Sequence, residues 1–416
     1  MLQPINRTED SERVRFAPPR IGGAEVIADL RDAWRDLATR APAATPFMTW
    51  EWFEAWFATF GEGRRLVVFT AVDVDDRLVA LAPFVRRRSG AKSGFHRELS
   101  FFGGTDGAPD HLDLLVDPAF EDAVLDPLAR QVLDHSGWDI LRLDGISPDS
   151  RWLERLRGEK PELEWTTTCP YLPLPADWET FEAQLGRKPR YNLRSRAKRL
   201  AKDHDEPIEL RTVVDEADRD GVLSALFDLH AQSRGQHGQA GAFARDGVCD
   251  FHRRVTRTLL AEGILRLHTL YVGERPIGAA YCMHWGKRAY FYQTGYDPEF
   301  AKYGPGAAII AHAIRTAIED GCEEFDFLRG DEAYKEQWTQ QQRLDHRVWI
   351  GRGIGGAALV AGFRTGLRWK REAAERRQRR AAANEETGRP RASSHADAPK
   401  GASSQEGTAS PSTSDG

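Results

Sequence analysis

KRAYFYQTGYDPEFAKYGPGAAIIAHAIRTAIEDGCEEFDFLRG, Lys287 to Gly330, is the stretch on which the fold turns. It begins as a strand carrying Tyr290, Phe291 and Tyr292 and passes through a loop, DPEFAKYGPG. An apolar helix then runs from Gly304 to Gly321, and a short strand ending in FDF closes the unit. Strand, loop, helix and strand in that order spell an open α/β sheet, in which ligands gather beyond the carboxyl ends of the strands. Free N–H groups at the helix start favour an anion such as phosphate. Gly304 and Gly306 let backbone approach closely, and Lys302 adds a counter-charge. A plain structural turn has the same composition, the loop differs from GxGxxG, and GxxxxGK[ST] does not occur.

The strand FDF stops abruptly in RGDEAYKEQW, which gathers Arg329, Asp331, Glu332 and Lys335. Asp331 and Lys335 are four apart, so on a helix they share a face and an ordinary ion pair would account for them. The functional reading gives Asp331 a proton from an amine and gives Lys335 an anionic group.

Working outward, ILRLHTLYVGERPIGAAYCMHW, residues 264–285, reads as a hairpin, preceded by helices over 220–235 and 247–263 and a strand IELRTVV. WETFEAQLGRKPRYNLRSRAKRL, 178–200, is helical and strongly basic. Arg190, Arg194, Lys198 and Arg199 suit nucleic acid, a phosphate-bearing small molecule or solvent alike. The first half reads in a similar order: helices over 22–40 and 45–61, a hairpin over 64–88, a strand near Asp113, a helix over 119–135 and a strand over 138–146. Thr49 is a candidate N-cap for the aromatic helix TWEWFEAWFATF, whose Trp and Phe residues fit a packed core better than a cofactor box. DHRVWI, 345–350, reads as a last strand.

These elements divide the chain into a flexible segment 1–20, α/β halves over 21–177 and 178–350, a basic helical extension 351–386 and a disordered Gly/Ser/Pro-rich tail 387–416. A formal net charge of -5 implies no overall attraction to nucleic acid or anionic membrane. The four cysteines, Cys169, Cys249, Cys282 and Cys322, are scattered without a CxxC pair, so neither a zinc site nor a disulfide framework is expected. The polar start of the chain, the lack of a long apolar run and the free cysteines point to the cytoplasm. No HExxH or GxSxG occurs, which leaves metalloprotease and serine hydrolase chemistry without support.

Three stretches carry a family resemblance: PFMTWEWFEAWFATFG with LVVFTAVDVDDRLVALAPF, PRYNLRSRAKRL, and YFYQTGYDPEFAKYGPGAAIIAHAIRTAIEDGCEEFDFLRGDEAYKEQW. Together they resemble the BioF2-like or CelD-like acyltransferases of the GNAT superfamily, bacterial proteins associated with cellulose and exopolysaccharide biosynthesis and related to the FemAB peptidyltransferases. The resemblance implies two tandem GNAT-like domains with mixed sheets flanked by helices, the second holding an acyl-CoA site. By that likeness Lys302, Tyr303, Gly304 and Gly306 receive the CoA pyrophosphate, and Tyr292 lies beside the pantetheine arm. Asp331, Lys335 and Tyr292 act in catalysis, while Arg329, Tyr334 and Arg194 bind substrate. The reaction implied is attack of an amine, on an amino sugar or amino-acid-like compound, on an acetyl-CoA-type thioester without a metal. Two alternatives stay open: a FemAB-like transferase using aminoacyl-tRNA, supported by the basic helix, and a non-catalytic GNAT-like module that binds a partner.

Overall fold

The computed structural model describes residues 13–90, 95–103, 106–236, 241–366 and 376; the expected tail and most of the basic extension lie outside them. The first half contributes β1 (Val14–Phe16), β2 (Arg20–Gly22), α1 (Arg31–Arg40), α2 (Trp50–Phe60), β3 (Arg65–Asp73), β4 (Leu78–Ser89), β5 (His96–Phe101), β6 (Leu115–Val116), α3 (Glu121–Asp134), β7 (Ile140–Ile146), α4 (Arg151–Arg155) and β8 (Glu162–Pro173). The second contributes α5 (Trp178–Gln184), α6 (Arg187–Asp203), β9 (Ile208–Thr212), α7 (Glu216–Gly235), α8 (Val248–Ala261), β10 (Leu265–Val272), β11 (Arg275–Trp285), β12 (Arg288–Tyr296), α9 (Pro305–Glu319), β13 (Glu324–Asp326) and β14 (Gln342–Gly351).

The strands form one mixed sheet in the order β1-β3-β4-β5-β7-β14-β8-β13-β12-β11-β10-β9. Each half runs through three antiparallel strands, then a helix, then a strand parallel to the third: β3-β4-β5-α3-β7 and β10-β11-β12-α9-β13. The halves are joined by exchange. β8, last strand of the first half, pairs with β13, while β14, last strand of the second, pairs with β7, and the two exchanged strands pair with each other.

Local chemistry explains the main elements. Thr49 caps α2 by accepting a hydrogen bond from the Trp52 N–H at 3.3 Å. The aromatics that follow are buried on one side against α1 and on the other against α8. Trp52 meets Phe251 with ring centroids 5.0 Å apart, and Tyr292 at 5.7 Å. One apolar core therefore runs across both halves on this face of the sheet, while a second, built by Ile309, Ile310, Ile314, Phe325 and their neighbours, lies beneath α9 on the other.

Several elements depart from the sequence expectation. The segment 1–20, expected to be flexible, contains β1 and the start of β2, and β5 and α4 have no counterpart in the sequence reading. The basic segment is two helices, broken at Leu185 and Gly186, because Gly and the Pro189 that follows favour a fresh helix start. β8 is a 12-residue strand whose Pro170 and Pro173 obscure it in sequence. No helix among the described residues is long and apolar enough to cross a membrane.

Trp52→Ala removes a fully buried ring from the core common to both halves. It is expected to lower stability by about 3–5 kcal/mol and to shift one cooperative denaturation transition. Chemical denaturation that resolves two independent transitions, with only one of them shifted, would contradict a shared core.

Candidate active site

The site begins where two parallel strands part. β12 and β13 pair only from Arg288/Glu324 to Tyr290/Asp326, yet β12 runs on to Tyr296. β13 stops because Leu328 adopts a left-handed conformation (φ 55°), rare for a residue with a Cβ. Its N–H donates to Asp326 Oδ1 at 2.7 Å. The chain then follows β8 instead, with Phe327 N–H on Pro170 O at 2.9 Å and Gly330 N–H on Thr168 O at 3.0 Å. The fork opens into a cavity of about 720 Å³.

One end of the cavity is the start of α9. Gly304 is left-handed (φ 64°), Pro305 takes the first helical position, and no side chain caps the helix. Its first N–H groups therefore have no partner within the helix. Arg196, from α6, lies across this end; a Cβ on Gly304 would fall 2.7 Å from its Nη1. The middle is apolar, lined by Phe291, Ala307, Ile310 and Phe327. The far end is polar and includes Ser233, Arg234, Glu332 and Tyr334, with Asp110 and Arg329 at its wall.

Lys335 organises the far end. It is buried, and its Nζ donates to the carbonyls of Leu328, Arg329 and Gly330 at 3.2, 2.9 and 3.2 Å, with Glu332 Oε2 at 2.9 Å. The ammonium thus holds the strained turn after β13. Burial raises the pKa of Glu332, but Lys335 and then Arg234, 3.6 Å away, outweigh it and keep the carboxyl below its ordinary range. Burial pushes the Tyr334 phenol up, so it stays neutral.

A loop from the first half forms the wall. Asp110, 2% exposed, accepts from the Arg329 N–H at 3.0 Å and from its guanidinium. His111, next to it, is left-handed (φ 53°) and bridges Asp345 Oδ1 at 3.0 Å and Asp326 Oδ2 at 3.2 Å. Burial alone would lower the His111 pKa; Asp326 and Asp345 outweigh it and hold it well above 6.5. The ligand atoms of His111, Cys169 and Asp345 lie within 4.8 Å of one another. Both ring nitrogens face carboxylates, so an imidazolium between two anions accounts for the cluster without a metal.

The residues singled out in sequence are placed as follows. Tyr292, Gly304, Gly306, Arg329, Tyr334 and Lys335 all line the cavity. The Tyr292 hydroxyl is committed across the halves, donating to Gly107 O at 2.7 Å with His252 Nε2 at 3.3 Å. Tyr303 turns toward α6 and donates to Asp203 Oδ2 at 3.0 Å. Lys302 is exposed, its Nζ 4.7 Å above the Tyr303 ring. Asp331 is exposed and does not line the cavity. It makes no helical pair with Lys335, because the segment is irregular and closes in a tight turn, with the Lys335 N–H on Glu332 O at 2.8 Å, before a short 3₁₀ helix, Lys335–Gln337. Arg194 is on the outer face of α6, paired with Glu182 at 2.8 Å.

Sequence reasoning passed over Arg196, Arg234, Asp110 and His111. Arg196 was within reach: Leu193 and Leu200 mark the inward face of α6, and Arg196 sits between them in phase. Asp110 and His111 had no such signal, since the strand exchange is what carries their loop to β13.

Residues 187–336 match the family model described as the Acetyltransferase (GNAT) domain. The chain carries a GNAT acyltransferase domain. Two solved structures show how far the likeness in fold extends beyond it. FemX is 12% identical, with 77% of this chain and 96% of FemX covered at a TM-score of 0.57. A conserved protein of unknown function from Bacteroides thetaiotaomicron is 10% identical, with 78% and 97% covered at 0.50. No curated protein matches the sequence. The GNAT match lies wholly in the second half and includes the fork, the α9 start and Lys335.

Two outcomes check this site. The folded His111 pKa lies above the unfolded value near 6.5, so its stabilisation is complete below about pH 6.5 and is lost as pH rises through the folded value. The melting temperature gap between wild type and His111→Asn should accordingly be widest in mild acid and close on the alkaline side; a gap independent of pH would count against the imidazolium. Lys335→Met leaves three carbonyls and Glu332 without their cation, and denaturation should show a loss of about 3–5 kcal/mol. A loss under about 1 kcal/mol, the size expected of an exposed pair, would contradict the role given to this lysine.

Proposed function

We propose that the protein is an N-acyltransferase whose donor is an acyl-CoA. The observation that carries this reading is the continuous cavity, with a positive helix start and Arg196 at one end, an apolar middle, and a polar end facing the other half. A CoA thioester has the matching order of pyrophosphate, pantetheine and acyl carbonyl. Gly304, Gly306 and Arg196 meet the pyrophosphate in this reading, and the edge of β12 that β13 leaves free after Tyr290 lies along the pantetheine.

The amine of the acceptor attacks the thioester carbonyl, the C–S bond breaks, and the CoA thiolate leaves as the nitrogen gives up its proton. Glu332 rather than Asp331 is the carboxylate that meets the acceptor. With its pKa depressed between Lys335 and Arg234, it suits accepting a hydrogen bond from the neutral amine better than taking its proton. Solvent receives the proton, and positioning supplies most of the rate. Arg329 and Lys335 hold the loop that shapes this end. We further propose that 21–177 and 178–350 are tandem GNAT-like domains, on the repeated strand order. The BioF2-like or CelD-like likeness, with an envelope polysaccharide role and an amino-sugar or amino-acid-like acceptor, rests on the three sequence stretches alone.

A second reading has its own support. The likeness to the FemX fold extends over most of the chain, and α6 presents several cations, which suits an aminoacyl-tRNA donor. In this reading the α9 start and Arg196 take a terminal phosphate of the RNA.

Calorimetric titration separates the readings. Acetyl-CoA and CoA should saturate a single site. Gly304→Val, which forces a Cβ onto Arg196 at a positive φ, should abolish that binding, and Arg196→Ala should weaken it by about 10–100-fold. Absence of binding by acetyl-CoA and longer acyl-CoAs, with binding of charged tRNA, would favour the second reading. Absence of both would leave a partner-binding module.

A further inference from the structure

α6 carries a charge pattern that its own fold does not need. It is a 17-residue helix whose first turn holds Arg187, Lys188 and Arg190, with no acidic residue there and no capping side chain at Gly186. Positive charge at a helix start opposes the macrodipole, so this placement costs stability. The same face continues through Tyr191, Arg194, Ser195 and Lys198, which together with those three line an open surface groove built by α6 alone. Tyr191 is 67% exposed.

Several surface arginines elsewhere have carboxylate partners, such as Arg97 with Asp139, Arg151 with Glu121 and Asp122, Arg266 with Asp320 and Arg275 with Glu299; those without one among the described residues, such as Arg31, Arg65, Arg157 and Arg254, are scattered over different elements. On α6 only Arg194 and Arg199 do, with Glu182 and Asp203. Among the described residues Arg187, Lys188, Arg190, Lys198 and Lys202 have no carboxylate within salt-bridge distance. A cluster of unneutralised cations at an unfavourable helix end, on a chain of net charge -5, is complementary to a dense external anion.

We propose that this face of α6 docks on an anionic lipid bilayer, so that acyl transfer takes place at a membrane surface. A bilayer fits better than a nucleic acid because the cations line one helix, with no second cationic wall opposite among the described residues. A plane meets such a stripe along its whole length, whereas a strand of RNA is tracked by a charged groove with stacking aromatics on its walls. Tyr191, at the level of the cations, has the amphipathic ring favoured at the headgroup layer. Arg196 projects from the same helix into the cavity, so docking places one wall of the active site next to the bilayer. The inference holds for either donor.

Sedimentation of the full chain with vesicles tests it. Vesicles of phosphatidylcholine containing one-third phosphatidylglycerol should carry the protein down, and pure phosphatidylcholine vesicles should not. The triple variant Lys188→Glu/Arg190→Glu/Lys198→Glu, all outside the cavity, should bind anionic vesicles about 100-fold more weakly, and high salt should release the wild type. Should that variant lose its wild-type circular dichroism, Lys188→Gln alone should weaken binding about fivefold. Wild type that stays in the supernatant, or variants that sediment equally, would overturn the proposal. So would binding of poly(U) RNA through these residues without any binding to vesicles.

Discussion

The site depends on one constraint: β13 cannot stay paired with β12 beyond Asp326. Leu328 turns the chain into a left-handed conformation, and the next residues take their backbone partners from β8. A parallel pair that opens in the middle of a sheet leaves backbone edge and apolar side chains facing a gap, and such a gap is stable only if something fills it or its walls are braced. Here the walls are braced. Lys335 ties down three successive carbonyls of the departing strand, and Asp110 holds the next peptide N–H together with the Arg329 side chain.

That bracing comes from both halves, which explains why the strand exchange matters for function. β8 flanks β13 on the side away from β12 and keeps hold of the chain after β12 and β13 part, and β8 belongs to the first half in sequence. Asp110 and His111 come from the first half too. His111 clamps Asp326, the last paired residue of β13, to Asp345 of β14. The corresponding parallel pair of the first half, β5 with β7, opens onto something different. Glu98, Arg142 and Asp144 fill that space with ion pairs, joined by Arg347 from β14, and only about 20 Å³ remains. The α3 start carries Glu121 and Asp122 where α9 has Pro305 and Gly306, which is hostile to a phosphate. Of the two matching forks, the second alone has the space and the charge for a nucleotide-tailed donor.

Much of this was legible in sequence where function and local pattern coincide. The run from Tyr290 to Phe327 announced strand, glycine turn, helix and strand because period, glycine and proline all speak locally. The same holds for the capped aromatic helix α2. Contacts far apart in sequence were not legible. β8 alternates weakly and contains two prolines, so nothing local marks it as a central strand. Helical spacing tied Asp331 to Lys335, whereas the chain there makes a tight turn that brings Glu332 to the ammonium. Glu332, Asp110, His111 and Arg234 owe their positions to the exchange and to the packing of α7, neither of which leaves a motif.

In the proposed function, the fork between β12 and β13 takes the acyl arm of a CoA thioester whose pyrophosphate rests on the start of α9. A crystal structure of the protein with CoA tests this most directly. The account predicts pyrophosphate oxygens within hydrogen-bond reach of the Gly306 and Ala307 N–H groups and of Arg196, with the pantetheine lying along β12 past Tyr290. CoA bound elsewhere, or a fork filled by the protein's own side chains in the complex, would contradict it.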